Sequence, residues 1–295
     1  MPTELLPYTC TLSERYIKMA IEELHEDPET RLDKCRELLA KLEEAHPEIT
    51  PNPDPKFLLR FLRCKKFDVG RAAEMLAQHY IIRYEEPEIF NGTNLKSLKA
   101  IHESNIIGLL PKPAKNGSMV MISQSSAMDL EKHKPLDFVR YMAILAEGNA
   151  VIEDYQVGGG MSIANYDKYT MRHFTTFMPH MGVFSKIMEK ATPSRFKGTV
   201  IVNPIAPSII TAVLAVIEKL FSKKFSSRIK VATSNDFSEL YEFIDKDNLP
   251  PEFGGTLDDD IYERARKYIE ECAEFVESQR KFGVCGGKYT IVDNM

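Results

Sequence analysis

The spacing of apolar residues changes once along this chain, and that change limits the folds open to it. From residue 11 to about residue 90 the apolar positions recur every three or four residues, as one face of a helix requires. Beyond residue 118 they come in short runs, MVMIS (119–123), MSIAN (161–165), GTVIVN (198–203) and IKVAT (229–233), separated by helical stretches. A helical N-terminal region therefore precedes an α/β layer whose strands pair largely in parallel.

In the first region Leu12, Tyr16, Ala20 and Leu24 outline one helix, with Thr11 and Glu14 at capping-box spacing. Leu32, Cys35, Leu38, Leu39 and Leu42 outline a second, between Pro28 and Pro47. After the proline-rich ITPNPDP (49–55), Phe57, Leu58, Phe61 and Leu62 share an apolar face that leaves Arg60 and Arg63 off it. Asp68 is placed to cap a further helix through about Arg83, with Ala72, Met75, Leu76, His79 and Tyr80 inward. In the second region, 136–156 and 170–190 are expected to be helical, the latter broken near Pro179. The last helix is expected to begin near Asp258–Asp260 and to turn Ile261, Ala265, Tyr268, Cys272, Phe275 and Val276 inward.

Motifs for catalysis do not emerge. Gly158–Gly160 match neither a dinucleotide nor a P-loop pattern and precede a strand, which reads as a turn. No G-x-S-x-G or H-E-x-x-H occurs, and His173 and His180 straddle Pro179. The acidic run at 258–260 sits where a helix start accounts for it. The five cysteines are scattered without zinc or redox spacing, which fits reduced thiols and a cytoplasmic setting. No metal, cofactor or enzymatic activity is expected.

Residues 207–230, PSIITAVLAVIEKLFSKKFSSRIK, join an uncharged run to a basic one. A helix over 208–221 is about 21 Å long, short of the roughly 30 Å of a bilayer core. It is either a core helix of the α/β layer or a cover over an apolar cavity that also dips into a membrane interface. Residues 186–230 hold nine Lys or Arg against two Glu, while the whole chain is −5. These cations form either one patch for an anionic surface or ligand, or separate solvated side chains. The overall acidity argues against nucleic-acid binding.

FLLRFLRCKKFDVGRAAEML (57–76) resembles the N-terminal helical signature of CRAL-TRIO (Sec14-like) lipid-transfer proteins. FKGTVIVNPIAP (196–207) resembles that family's central strand and turn, and LPPEFGG (249–255) its closing motif. The order and spacing agree over roughly residues 11–282, most of all with the family's tocopherol- and retinaldehyde-carrier branch. The resemblance implies an α/β fold: an N-terminal helical bundle followed by a mixed β-sheet lipid-binding domain with flanking helices and a mobile helical gate. It divides the chain into 1–92, a lipid-binding domain at 93–256, and a C-terminal helix and tail at 257–295.

By the same resemblance, the gate falls on the 207–230 segment and a basic cleft for phosphoinositide headgroups falls at Arg60, Arg195, Lys197, Lys224 and Arg228. Arg195 and Lys197 flank Phe196 on a segment entering a strand, so alternation sends them to one side. Candidate pocket residues are Ser123, Val139, Met142, Ala146, Ser162, Ala164 and Met171, with Ile210, Val213 and Ile217 on the gate. Ala164 and Asn165 stand where the family has Phe-Asp, and Met142 and Ala146 where the tocopherol carrier has pocket serines. Tocopherol-specific polar contacts therefore do not carry over. The expected function is an intracellular carrier of one hydrophobic molecule or lipid (tocopherol, retinoid, carotenoid or phospholipid-like). It would exchange that cargo at phosphoinositide-containing membranes by transient peripheral association. The alternative is a phosphoinositide-responsive adaptor without net transfer.

Overall fold

The computed structural model describes residues 4–91, 94–148, 151–203, 206–232 and 237–284. Five expectations touch residues outside these: positions 149–150 of the predicted helix 136–156, Pro204 and Ile205 of FKGTVIVNPIAP, Thr233 of IKVAT, the boundary at 92/93, and residues 285–295 of the C-terminal tail.

Four helices open the chain, α1 (Glu14–Leu24), α2 (Arg31–Ala45), α3 (Pro55–Cys64) and α4 (Val69–Glu85), with a short strand β1 (Ile49–Thr50) before α3. Asp54 caps α3 ahead of Pro55, and the Asp68 carboxylate accepts from the Arg71 amide at the start of α4. α1 departs from the expected capping box. Ser13 is its N-cap, and Thr11 instead donates from its amide and hydroxyl to Glu153, 2.6 Å in each case. A tertiary carboxylate thus replaces the local one. Leu38, Leu42, Leu58, Leu62, Leu76 and Phe61 form the core of this helical part.

Two short helices follow, α5 (Pro87–Phe90) and α6 (Lys99–His102), and then the main sheet. Its strands are β2 (Ile107–Leu109), β3 (Met119–Gln124), β4 (Gly160–Asn165), β5 (Phe196–Val202) and β6 (Ile229–Val231), ordered as in the sequence. β2 pairs antiparallel with β3, and every later pairing is parallel, so the sheet is mixed. β2 is too short to read from alternation. The crossovers carry α7 (Pro135–Gly148), α8 (Glu153–Gly158), α9 (Met171–Phe177), α10 (Met181–Lys186), a π-helical turn at 187–191, α11 (Pro207–Leu220) and α12 (Lys223–Ser226). α13 (Ile261–Ser278) packs on α7 and β2, and β7 (Gly283–Val284) pairs with β1. Asp260 accepts from the Tyr262 and Glu263 amides, so the acidic run is a helix cap.

One face of the sheet is sealed. Val120, Ile122, Met161, Ile163, Val200 and Val202 pack against Leu240, Ile244, Leu249, Phe253 and Ile261. The closing motif LPPEFGG is part of that seal: Leu249 and Phe253 are fully buried, and a Cβ on Gly255 would stand 1.9 Å from the Leu249 carbonyl oxygen.

Candidate functional site

The opposite face is different in kind. Cross-strand registers align Met121, Ser162, Thr199 and Ile229 in one row and Ser123, Ala164, Ile201 and Val231 in the next. Met121, Ser123, Ser162 and Thr199 stay half-buried on interior strands, whereas Val120, Ile122 and Ile163 on the sealed face are at 0% exposure. Side chains in the middle of an interior strand keep accessible surface only if a space lies in front of them. Helices stand over that space. Ile210 of α11 packs on Ala164 and Ile201, with Leu214 beside them. Phe138 and Met142 of α7 and Phe177 of α9 lie half-buried in the apolar cluster that takes in Met119 and Met121. The lining is apolar except for Ser123 and the Ser162 and Thr199 hydroxyls, which share a hydrogen bond of 2.6 Å.

The sequence candidates divide accordingly. Ser123, Ser162, Ala164 and Met142 come together at this face, and Ile210, Val213 and Ile217 share one side of α11 at i, i+3 and i+7. Val139 does not line it. It is enclosed in a core with Ile82, Ala143, Ile187 and Ala191, because α7 turns that side toward α4. Ala146 is likewise buried, and Met171 is 43% exposed at the outer end of α9. Thr199, Met121 and Ile229 were not singled out from the sequence. Their place on this face follows from the register with Ser162.

At the C-terminal end of α11, Phe221 stacks on Phe225 with centroids 4.4 Å apart, and Phe225 on Phe196 at 4.1 Å. Between α11 and α12, Ser222 caps α12 and is itself held by Glu189 from the π-helical turn, Oγ to Oε1 2.5 Å and amide to Oε2 3.1 Å. The aromatic stack carries the cations on its flanks. Arg195 and Lys197 both face Glu23 of α1, at 3.1 and 3.7 Å, as alternation about Phe196 requires. Arg228 donates to the Phe196 carbonyl and Arg195 to that of Val157. Burial, then the Arg195 charge and that of Arg228, hold the Lys197 ammonium below its ordinary value, with Glu23 opposing them. Lys224 is exposed on α12; its charge, with those of Lys65, Arg71 and Arg195, reaches the Cys64 thiol. Lys65 after α3 and Arg71 in the first turn of α4, which the sequence reading passed over, stand near the same thiol. Gly159 sets the approach of this segment: its φ is +79°, and a Cβ there would lie 2.1 Å from the Arg195 carbonyl oxygen. Lys186 and Lys230 turn elsewhere, to Glu85 and Glu86 and to the Phe243 ring.

Arg60 is not in this cluster, which corrects the sequence assignment. Its guanidinium is 0% exposed, 3.3 Å from Glu147 of α7, and stacked over Phe57 at 4.1 Å. Glu147 also receives Arg83, and His79 donates Nδ1–H to the Ala191 carbonyl at 2.9 Å while Nε2 accepts from Arg60. Arg63 is buried as well. It grips Glu26 with two hydrogen bonds of 2.8 and 2.9 Å and donates to Glu153 and Gln156 of α8. Both arginines were read as lying off the apolar face; they do, but the space there is filled by α7 and α8.

Among the described residues no helix is long and apolar enough to cross a membrane, and no group of three or more His, Cys, Asp or Glu side chains stands together as metal ligands. Residues 103–255 match the CRAL/TRIO domain. The alpha-tocopherol transfer protein-like protein of Homo sapiens is 29% identical over 256 residues, 86% of this chain and 74% of that one. Clavesin-2 of Mus musculus is 28% identical over 252 residues, 83% of this chain and 75% of that one. The crystal structure of Sfh5 aligns with a TM-score of 0.48 and 14% identity, over 70% of this chain and 73% of that chain.

Proposed function

The chain belongs to the CRAL/TRIO domain family, whose members bind and transfer lipids, and we propose that it carries one hydrophobic molecule in the space between the sheet and α11. The observation that carries this reading is the contrast between the two sheet faces. One is sealed, and the other keeps Met121, Ser123, Ser162 and Thr199 half-buried beneath helices. A pocket so lined holds its ligand by apolar burial, at about 25 cal/mol per Å². The Ser162–Thr199 pair and Ser123 offer polar contacts able to orient a hydroxyl or carbonyl on the cargo. Tocopherol, retinoid, carotenoid and phospholipid-like molecules all have that character.

In this proposal α11 is the gate, and Arg195, Lys197, Lys224 and Arg228 bind a phosphoinositide headgroup beside it. The Phe196–Phe225–Phe221 stack supports the coupling, since a ligand drawn to the cations presses on rings that end on the gate helix. The protein acts as a non-enzymatic cytoplasmic carrier that meets membranes transiently, and 93–256 is its lipid-binding unit. Native mass spectrometry of the purified protein, followed by donor-to-acceptor vesicle transfer of whatever it retains, is the test. Retained cargo that moves faster to phosphoinositide-containing acceptors supports the proposal. A protein that holds no hydrophobic molecule overturns it, and vesicle binding without transfer points to the adaptor alternative.

A further inference from the structure

The anion site proposed above contains a carboxylate that such a site has no evident use for. Glu23 reaches in from α1, with Oε2 3.1 Å from Nη2 of Arg195 and 3.7 Å from Nζ of Lys197. Its place on α1 is electrostatically poor. It sits in the last turn, at the negative end of the helix dipole, and that turn has no basic residue. The two cations are what hold it: burial alone would raise its pKa, but the Arg195 hydrogen bond and the Lys197 and Arg195 charges bring it below the usual carboxylate range. The cations are also the better anchored partners. Arg195 and Lys197 are 12% and 21% exposed, and Arg195 is tied to the Val157 carbonyl, whereas Glu23 is 45% exposed. An anion arriving from solvent finds its donors engaged, and the carboxylate is the group free to swing away.

We propose that Glu23 is a specificity-determining residue of the anion site, an internal competitor displaced by ligands carrying several phosphate charges and not by singly charged ones. This rests on the anion-site reading of Arg195, Lys197, Lys224 and Arg228. A headgroup with one net negative charge brings no more charge than the carboxylate it replaces, and it leaves Glu23 without its partners. A polyphosphorylated headgroup engages the whole cluster and repays that loss. Selectivity then comes from a penalty on the wrong ligand rather than from an added contact to the right one. The ligand chemistry is a polyphosphate, on a lipid or free.

The test compares wild type, Glu23→Gln, Glu22→Gln and the Lys224→Ala/Arg228→Ala double variant at low salt. Binding is measured to phosphatidylcholine vesicles carrying either phosphatidylserine or phosphatidylinositol bisphosphate at matched surface charge. Calorimetry with soluble inositol trisphosphate and with inorganic phosphate separates a free ligand from a membrane-borne one. Glu23→Gln is expected to bind phosphatidylserine vesicles about five-fold tighter, because it frees Arg195 and Lys197 from their carboxylate and one freed cation contributes about that much at an anionic surface, and bisphosphate vesicles with a smaller gain. Glu22 lies next to Glu23 and is exposed, so Glu22→Gln makes the same change in net charge outside the cluster and is expected to behave as wild type. An equal gain in Glu22→Gln, or none in Glu23→Gln while the double variant still weakens binding, overturns the role of Glu23 and leaves the anion site standing. A double variant that binds like wild type removes the anion site, and this inference with it.

Discussion

Nη1 of Arg63 lies 2.8 Å from Oε1 of Glu153, ninety positions further along the chain, and neither side chain is exposed to solvent. The pair binds α3 to α8, and Glu153 also receives Tyr8 and Thr11 from the N-terminal segment. Removing Glu153 leaves Arg63 its two hydrogen bonds to Glu26 but takes the acceptor from Tyr8, from Thr11 and from one arm of Arg63. Glu153→Ala is expected to cost about 1–3 kcal/mol in urea unfolding. Arg63→Met takes the shared cation from Glu26 and Glu153 together and is expected to cost more, about 3–5 kcal/mol.

Acid should act on the same network in two stages. The buried His79 is held neutral, by burial first and then by the Arg83 charge, so its pKa lies well below 6.5. The unfolded chain takes up that proton first, and stability falls as the pH drops below about 6.5. Burial alone would raise Glu147 and Glu153, yet Arg83 and Arg60 around one, and Thr11, Tyr8 and Arg63 around the other, bring both down from 4.5 to about 2. Their contribution is complete above pH 4.5 and is lost toward pH 2. Unfolding free energies measured from pH 8 to 3 should show both slopes, and His79→Phe should flatten only the upper one.

The Glu189–Ser222 contact ties the end of α11, the proposed gate, to the π-helical turn before β5. A lost cap of this kind is worth about 1 kcal/mol. Ser222→Ala and Glu189→Gln should each speed cargo exchange by about five-fold, with equilibrium vesicle binding unchanged. Stopped-flow transfer of a fluorescent cargo reads the rate.

Ser162 faces the space in front of the sheet from the middle of β4. A phenylalanine there occupies volume that the proposed cargo needs. Ser162→Phe should lower the retained hydrophobic molecule at least about ten-fold, at a folding cost within the roughly 1–3 kcal/mol of a core overpacking change. Native mass spectrometry gives the first quantity and urea unfolding the second.

The strands of the sheet were legible because β3, β4 and β5 read as short apolar runs between turn signals. β2 was not, since three residues hold no period and its identity comes from pairing with β3. The helical part was legible from its period, but the placement of Arg60 and Arg63 was not. A helical wheel shows where a side chain points and says nothing of what stands there. The local sign was Glu147 and Glu153 close to otherwise apolar stretches, two carboxylates whose partners lie 87 and 90 residues earlier. In the basic segment, composition counted nine cations and geometry sorted them, sending Lys186 and Lys230 away from Arg195 and Arg228.

The long-range arginine pairs also bear on how the chain is made. Arg60 and Arg63 leave the ribosome with their α3 neighbours, but Glu147 and Glu153 follow 87 and 90 residues later. At about 5–20 residues per second that is a wait of roughly 5–20 s. During that interval the nascent N-terminal helices have Leu58, Leu62 and Leu76 to pack and a guanidinium at Arg60 still lacking its carboxylate. Arg60 and Arg63 therefore meet Glu147 and Glu153 only after α7 and α8 have emerged, and the second half of the chain supplies the carboxylates that the first half buries.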